Sequence, residues 1–243
     1  MFFSPSELSS FWKIHPKGIV HVGAHKAEES DLYLEQEWGD IIWIEAQENL
    51  ATELRRRLHP PIHSVISAAI WDQAGIELNL HIASNSQSSS LLNFGCDSKE
   101  NPDIKMISET PVVTQRLDEI LENVHNADFI NLDIQGVELR ALIGLGEKIS
   151  EFNFIYLEVN SKYIYENCSL ITEIDEYLFQ KNYKRVGVRW RLFRHWGDAI
   201  YVKNSMHYSN FEQISQQISN LVFYAKQILS RLKQNFFRSK LSI

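Results

Sequence analysis

Two patterns of apolar and polar positions, one typical of strands and one typical of helices, alternate along the first third of this chain. Short β-branched runs occupy residues 18–24, 40–46 and 63–70. The segments between them carry apolar residues at helical spacing; Leu50, Leu54 and Leu58, for example, recur every four residues. Strands that alternate with helices of about a dozen residues predict right-handed βαβ crossovers and a parallel sheet.

The rest of the chain repeats this alternation after an irregular stretch. Residues 76–115 contain a strand-like alternating pattern, a serine-rich run and a segment that leads into another strand, and we interpret them as an insertion over the sheet. The serines fit a flexible loop or a lid that contacts a ligand. Further strands are predicted at 127–136, 152–160, 183–190 and 197–203, with helices at 116–124, 137–149 and 171–182. The chain is therefore expected to be an α/β protein with a mostly parallel seven-stranded sheet, an antiparallel edge pair and helices on both faces.

Two segments flank this domain, which is expected to span residues 18–204. Residues 1–17 are predicted to contain a helix, because Ser4 is a suitable cap, Pro5 suits the first turn and Glu7 can complete a capping box. Residues 205–243 are predicted to form an amphipathic basic helix.

The C-terminal segment combines an apolar stripe with positive charge. Its apolar residues at helical spacing are Leu221, Ala225, Ile228, Leu232 and Phe236. Its basic residues are Lys226, Arg231, Lys233, Arg238 and Lys240, and residues 220–243 contain no acid. Such a helix can lie on an anionic membrane surface, but it can equally pack on its own domain or form a homodimer.

Composition narrows the class of protein. The 243 residues are 44% hydrophobic and 23% charged, as in soluble globular domains. The net charge of −7 argues against a broad nucleic-acid footprint, so no nucleic-acid partner is expected. Cys96 and Cys168 match no disulfide or metal spacing, the histidines show no metal-ligand pairing, and the first residues do not resemble a secretory signal. We therefore expect reduced thiols, no metal and a cytoplasmic location, with contact to the membrane surface as an option.

The turn after the first strand carries candidate binding residues. In open α/β sheets, ligands bind beyond the carboxyl ends of the strands. Gly23 follows the first strand and allows a ligand to approach the backbone closely. Glu45 ends the second strand, where a carboxylate can accept both hydroxyls of a ribose. These features suit both NAD and S-adenosylmethionine.

Glu28 and Glu29 help to separate these two ligands. We expect them in the first turn of the following helix, where a pyrophosphate would use the positive end of the helix dipole. Like charges about 6 Å apart repel by about 3 kcal/mol at an effective dielectric near 20. S-adenosylmethionine has no phosphate and carries two cationic groups, so the glutamates favour it, although they could also stabilise the helix without any ligand.

Several segments resemble, in order, the motifs of the FkbM family of S-adenosylmethionine-dependent methyltransferases. They are VHVGAHKAEES, IWIEA, AAIWDQAGIELNL, SSSLL, RLDEIL, FINLDIQGVELRALIGLG and FIYLEV, and the resemblance covers roughly residues 18–203. The most specific is LDIQGVELRALIGLG, which is similar to the D-x-E-G signature of the family. The resemblance implies a Rossmann-like class I methyltransferase fold and O-methylation of a small-molecule or glycan hydroxyl, such as that of a sugar, polysaccharide or related secondary metabolite.

The resemblance also implies which residues contact the methyl donor. Gly23, Ala24 and His25 would line its methionine part, Glu45 would hold the ribose, and Ala68 and Ala69 would lie beside the adenine. The complete expected set of donor-binding residues is His21, Gly23, Ala24, His25, Glu28, Glu45, Ala46, Ala68, Ala69 and Asp133.

Two carboxylates are candidates for catalysis. Asp133 ends the fourth parallel strand, where it can orient an acceptor hydroxyl, or alternatively cap the next helix. Glu158 ends a strongly apolar strand, so desolvation should raise its pKa toward that of a general base, unless a backbone turn satisfies it. Glu138, in the first turn of the helix between them, could belong to the same site or only interact with the helix dipole.

The chain departs from the family pattern at several positions. His21 replaces an aspartate, His25 an asparagine, Ala27 a glycine, Ala46 a proline, Arg116 a threonine and Gln135 a glutamate. These departures leave a second function open, that of a non-catalytic protein of this fold. Such a protein would bind a partner or glycan through its tail and the basic and aromatic segment 185–196.

Overall fold

The computed structural model describes residues 1–95, 104–206 and 210–241. In the last range, it describes the side chains of residues 214 and 216–230. Cys96 lies outside the described residues, whereas Cys168 is a buried free thiol.

Strands and helices alternate through most of the chain. The strands are β1 (Gly18–Val22), β2 (Asp40–Glu45), β3 (His63–Ser67), β4 (Ala69–Ile70), β5 (Glu77–Ala83), β6 (Met106–Gln115), β7 (Phe129–Leu132), β8 (Phe154–Asn160), β9 (Tyr183–Trp190) and β10 (Trp196–Lys203). The helices are α1 (Pro5–Phe11), α2 (Ser30–Glu35), α3 (Glu48–Arg57), α4 (Leu117–Ile120), α5 (Glu138–Gly144), a 3₁₀ helix (Gly146–Glu151), α6 (Ile171–Gln180) and α7 (Asn210–Leu241).

Seven strands form the main sheet in the order β3–β2–β1–β7–β8–β10–β9. The first five are parallel, and β10 and β9 are antiparallel. This arrangement confirms the predicted mostly parallel seven-stranded sheet with an antiparallel edge pair. The strand order reverses at β1, which lies between β2 and β7, so a ligand crevice is expected at its carboxyl end.

Helices cover both faces of the sheet, and each face has its own hydrophobic core. Val20 and Val22 of β1 pack with residues of α4, α5 and α6. Ile19, which points to the opposite face, packs with residues of α1, α2 and α3. The short β-branched run that identified β1 in the sequence therefore reflects burial on both sides, as in other parallel sheets.

The insertion supplies β5 and β6, which form a second sheet with β4 in the order β4–β6–β5. The single strand predicted at 63–70 is therefore wrong, because the backbone at Ala68 separates β3 from β4. The Ala68 N–H donates to the Glu45 carbonyl at the end of β2, while the next residue pairs with β6 instead. This change of partner brings the insertion close to the carboxyl ends of β1 and β2.

The loop between β1 and α2 is not helical until Ser30. Within it, His25 and Ala27 have φ values of 45° and 50°, which are left-handed rather than helical. Glu28 and Glu29 therefore precede α2 instead of lying in its first turn as predicted, and Glu29 is the N-cap residue of α2.

A buried arginine joins both ends of the chain to the sheet. Helix α1 begins as predicted, with Ser4 as the cap and Glu7 completing the capping box. The fully buried Arg189 of β9 donates to both carboxylate oxygens of Glu7 at 3.0 Å and to the Phe2 carbonyl at 2.7 Å. It also donates to Ser219 of α7 at 2.7 Å. Arg189 therefore cannot contribute to the binding of a partner or glycan that its segment suggested.

Replacement of Arg189 by leucine is expected to lower the free energy of unfolding by about 3 kcal/mol, because the partly buried Glu7 would lose its cationic partner. Urea unfolding measures this change. Arg185→Leu is the matched control: its ion pair with Asp175 spans 3.0 Å with both side chains about one-third exposed. Surface pairs of this kind contribute up to about 1 kcal/mol. Equal losses for the two variants would show that the buried network adds no stability.

Candidate functional site

Two connected depressions lie at the carboxyl ends of the central strands, where the strand order reverses. The inner cavity is lined by Ile44, Glu45, Ala68, Ile70 and Leu80, among others. The outer cleft is lined by His21, Glu28, Glu158, Tyr165, Trp196 and Asp198, among others. Five residues line both depressions: Gly23, His25, Gln87, Asp133 and Gln135.

The backbone holds Glu45 in the wall of the inner cavity. Its Oε2 accepts the His25 N–H at 2.7 Å, and its Oε1 accepts the Gln47 N–H at 2.8 Å. Burial raises the pKa of Glu45, and these backbone donors partly offset that effect. Because each carboxylate oxygen can accept a second hydrogen bond, this fixed group suits a ligand with adjacent hydroxyls.

Gly23 is required by the packing of the chain itself. Its φ is 85°, and a Cβ here would overlap the backbone carbonyl of Asp133. Its N–H and that of Ala24 donate to the Ile44 carbonyl at 2.9 and 3.0 Å. The glycine thus lets β1 approach β7 closely, a reason that the sequence alone did not provide.

A glutamine bridges the two candidate catalytic carboxylates. The Nε2 of Gln135 donates to Asp133 Oδ1 at 2.6 Å and to Glu158 Oε2 at 3.3 Å. Its Oε1 accepts the Tyr165 hydroxyl at 2.7 Å. The glutamate that the family pattern has here would add a third negative charge between the other two.

Burial changes the protonation of both carboxylates. It raises the pKa of Asp133 to about 6, and the nearby Asp198 contributes to the same effect. Burial raises the pKa of Glu158 well above its ordinary value, and Asp133 adds to the rise. Asp133 is therefore mostly ionised at neutral pH and can accept a proton, whereas Glu158 keeps its proton over a wider pH range than an ordinary glutamate.

Glu138 supports the turn that carries Asp133 and Gln135. Its buried carboxylate accepts the Gly136 N–H at 3.0 Å and the Ile134 N–H at 3.2 Å. Burial raises its pKa to about 7. Glu138 lines neither depression, so its role is to fix the conformation of the turn that carries Asp133 and Gln135.

The outer cleft is acidic and aromatic. Its acidic lining residues are Glu28, Glu29, Asp133, Glu158 and Asp198. Its aromatic lining residues are Phe2, Phe94, Tyr165 and Trp196. Among the described lining residues there is no lysine or arginine side chain. An anionic group in this cleft would therefore find no lysine or arginine side chain among the described lining residues to pair with.

His21 and Glu28 occupy different depths of the outer cleft. His21 is buried, lies 3.2 Å from the Tyr33 hydroxyl and packs against the Trp43 ring. Burial lowers its pKa to about 4, so it is neutral near pH 7. Glu28 is paired with the His25 ring at 2.7 Å, and this contact lowers its pKa despite partial burial. His21 thus adds no positive charge to the cleft near pH 7. Glu28 is already bonded to His25, and Glu29 lies 3.6 Å from the amino group of Met1.

The structure brings together most, but not all, of the predicted residues. Ala46 and Ala68 line the inner cavity and Ala24 the outer cleft. Ala69 lies outside both: it is buried in β4, pairs with Thr114 and borders a separate depression. Ala69 points away from the cavity because the chain changes sheets at Ala68.

Other lining residues were not identified as site residues from the sequence. Ser86 lies 2.8 Å from the His25 ring, and Ser90 donates to the Gln135 carbonyl at 2.7 Å. These contacts place part of the serine-rich run over the inner cavity, as the lid interpretation implies. Asp198, on an antiparallel strand, reaches the outer cleft because β10 lies beside β8.

Comparisons with known proteins extend these observations. A family model described as the methyltransferase FkbM domain matches residues 21–185. The comparison with curated proteins gives no match. Magnesium protoporphyrin IX methyltransferase from Synechocystis PCC 6803, solved with bound S-adenosylmethionine, is 11% identical, with a TM-score of 0.42 over 76% of this chain and 69% of that one. The methyltransferase domain of bacterial CtHen1-C is 8% identical, with a TM-score of 0.43 over 82% and 95% of the two chains.

Proposed function

This chain belongs to the FkbM family of S-adenosylmethionine-dependent methyltransferases, and on that basis we propose that it methylates a hydroxyl of a sugar, a glycan or a related secondary metabolite. The observation that carries the proposal is the position of Asp133 between the two depressions. From there its carboxylate can reach both a donor in the inner cavity and an acceptor in the outer cleft.

The inner cavity fits the methyl donor. Glu45, fixed by two backbone donors, suits the ribose hydroxyls, and the apolar side chains of Ile44, Ile70 and Leu80 suit an adenine ring. Glu28 and Glu29 in the adjoining cleft suit the cationic methionine end. When bound, S-adenosylmethionine supplies a methyl group activated by its sulfonium.

The residues of the chain would position the acceptor and remove its proton. Methyl transfer forms an O–C bond and breaks a C–S bond, so the hydroxyl must lose its proton. Asp133 would accept it, because its pKa of about 6 lies near the working pH and Gln135 fixes its orientation. Glu158, when protonated, would donate a hydrogen bond to another acceptor oxygen. Alignment of the two substrates supplies the rest of the rate enhancement.

The outer cleft favours acceptors without anionic groups. A phosphate about 6 Å from one ionised carboxylate would meet about 3 kcal/mol of repulsion at an effective dielectric near 20. Neutral or cationic polyols avoid this cost, and the rings of Tyr165 and Trp196 offer apolar faces on which a sugar can pack.

We expect radiolabelled methyl groups to be transferred to neutral or amine-bearing glycosides and not to sugar phosphates or RNA. The assay uses full-length protein, methyl-labelled S-adenosylmethionine and a panel of these acceptors. Stability of the product to mild alkali would identify an ether rather than an ester. Preferential labelling of phosphorylated acceptors or RNA, or labelling only on nitrogen, would contradict the proposal.

A further inference from the structure

Helix α7 has two faces with different surroundings. One face is docked on the edge strand β9: Tyr224 accepts the Trp190 N–H at 3.1 Å, and Gln227 bonds to the carbonyl of Trp190 and the N–H of Leu192, both at 3.1 Å. Phe223 on this face packs against Phe2, with ring centroids 5.4 Å apart. These contacts fix the rotation of the helix about its axis.

The opposite face is apolar and exposed. Its large side chains are Ile214, Ile218, Leu221, Val222, Ile228 and Leu229. Leu221 is 70% exposed and Ile228 is 51% exposed. On an ideal helix of about 100° per residue, the centres of the docked and apolar faces lie roughly 170° apart. The apolar stripe therefore points away from the body, and Leu232 and Phe236 continue its spacing in the sequence.

The positive charge of this segment indicates which partner the apolar stripe contacts. Residues 213–243 contain five of the 24 basic residues and none of the 31 acidic ones, leaving 19 basic against 31 acidic residues in the remainder. Two copies paired through their stripes would bring two acid-free, basic helices together. An anionic lipid surface instead attracts the basic residues while the apolar stripe enters the boundary between headgroups and acyl chains.

We propose that α7 attaches the protein to the surface of anionic membranes through this stripe and the basic residues of the same segment. The helix would lie in the membrane plane. No helix in the described ranges 1–95, 104–206 and 210–241 is long and apolar enough to cross a membrane. The body, held by the opposite face of α7, remains in water with its outer cleft beside the helix, since Phe2 also stacks on Trp196 at 5.2 Å.

Flotation of full-length protein with vesicles tests this inference. One vesicle population is phosphatidylcholine alone, and the other contains about one-third phosphatidylglycerol to supply negative surface charge. The wild type is expected to float with the anionic vesicles only, and less so as salt rises. The double variant Leu221→Gln with Ile228→Gln should lose about tenfold or more of the bound fraction, because the stripe no longer buries apolar area.

The matched control changes exposed apolar residues elsewhere. Phe179 is 74% exposed and Ile107 is 65% exposed, and both lie outside α7. The double variant Phe179→Gln with Ile107→Gln should float like the wild type, and circular dichroism checks that both double variants fold. Absence of wild-type flotation, or equal loss in both double variants, would overturn the proposal. A second outcome would also overturn it. If the wild type did not bind vesicles and sedimented as a dimer that only the α7 substitutions dissociate, the stripe would bind a second copy of the chain.

Discussion

Replacing Asp133 by asparagine is expected to lower kcat by about 10²- to 10⁴-fold, the usual contribution of a general base. Asparagine keeps the size of the side chain and can still bond to Gln135, but it cannot take the proton of an acceptor hydroxyl. Steady-state kinetics with the best acceptor of the panel measures the loss. Calorimetric titration with S-adenosylmethionine provides the control, since the donor should still bind.

The same substitution has a signature in the pH profile. The wild-type kcat should fall as pH drops below about 6, because the proton-accepting carboxylate of Asp133 is ionised only above its raised pKa. In the Asp133→Asn variant, the residual kcat should not fall in this pH range. The Glu158→Gln variant should show the same fall as the wild type, since glutamine can still donate a hydrogen bond to the acceptor. A variant Asp133→Asn that keeps most of the wild-type kcat would exclude Asp133 as the base.

Glu45→Ala is expected to raise the Kd for S-adenosylmethionine by about 100-fold or more, because each hydrogen bond to a charged group contributes about 1.5–3 kcal/mol. Isothermal titration calorimetry measures the change. Glu45→Gln should have a smaller effect, since one amide oxygen still accepts a ribose hydroxyl or a backbone N–H of the turn.

Glu48→Ala is the matched control for this series. Glu48 lies three residues further along, bonds to Thr52 and Arg55 on the surface of α3, and does not line the inner cavity. The Glu48→Ala substitution should leave the Kd for S-adenosylmethionine within a factor of about two of the wild-type value. If the variants at positions 45 and 48 weakened binding equally, the donor would bind without a specific contact to Glu45.

The fold was predictable because its signals are local. The apolar runs of β1, β2 and β8 are buried on both faces, so their composition differs from that of the flanking helices. The capping box of Ser4 and Glu7 spans three residues, and both of its hydrogen bonds are present. Glu45 and Asp133 could be identified for a similar reason, since each ends or directly follows a parallel strand.

The remaining features of the site depend on contacts between distant parts of the chain. Glu28 and Glu29 were placed in a helix because the left-handed conformations of His25 and Ala27 are uncommon for residues other than glycine. Asp198 could not be assigned to the cleft before the position of β10 beside β8 was known. These errors reflect tertiary packing, which local sequence rules do not contain.

Gln135 illustrates how a departure from a family pattern can be interpreted only in three dimensions. In the sequence it suggested a weakened site, since a carboxylate was missing. In the structure its amide is hydrogen-bonded to Asp133, Glu158 and Tyr165, which come from three parts of the chain. The second hypothesis, of a non-catalytic protein, therefore gains no support from this substitution.

The docking of α7 on β9 has a practical consequence for work with shortened forms of this protein. The outermost strand of a sheet exposes backbone groups that can recruit other chains and start β-aggregation. Here, Tyr224 and Gln227 occupy such groups at Trp190 and Leu192. Truncation before α7 would expose these backbone groups at the edge of the sheet. Insolubility of a truncated form would therefore not show which function the helix has in the cell.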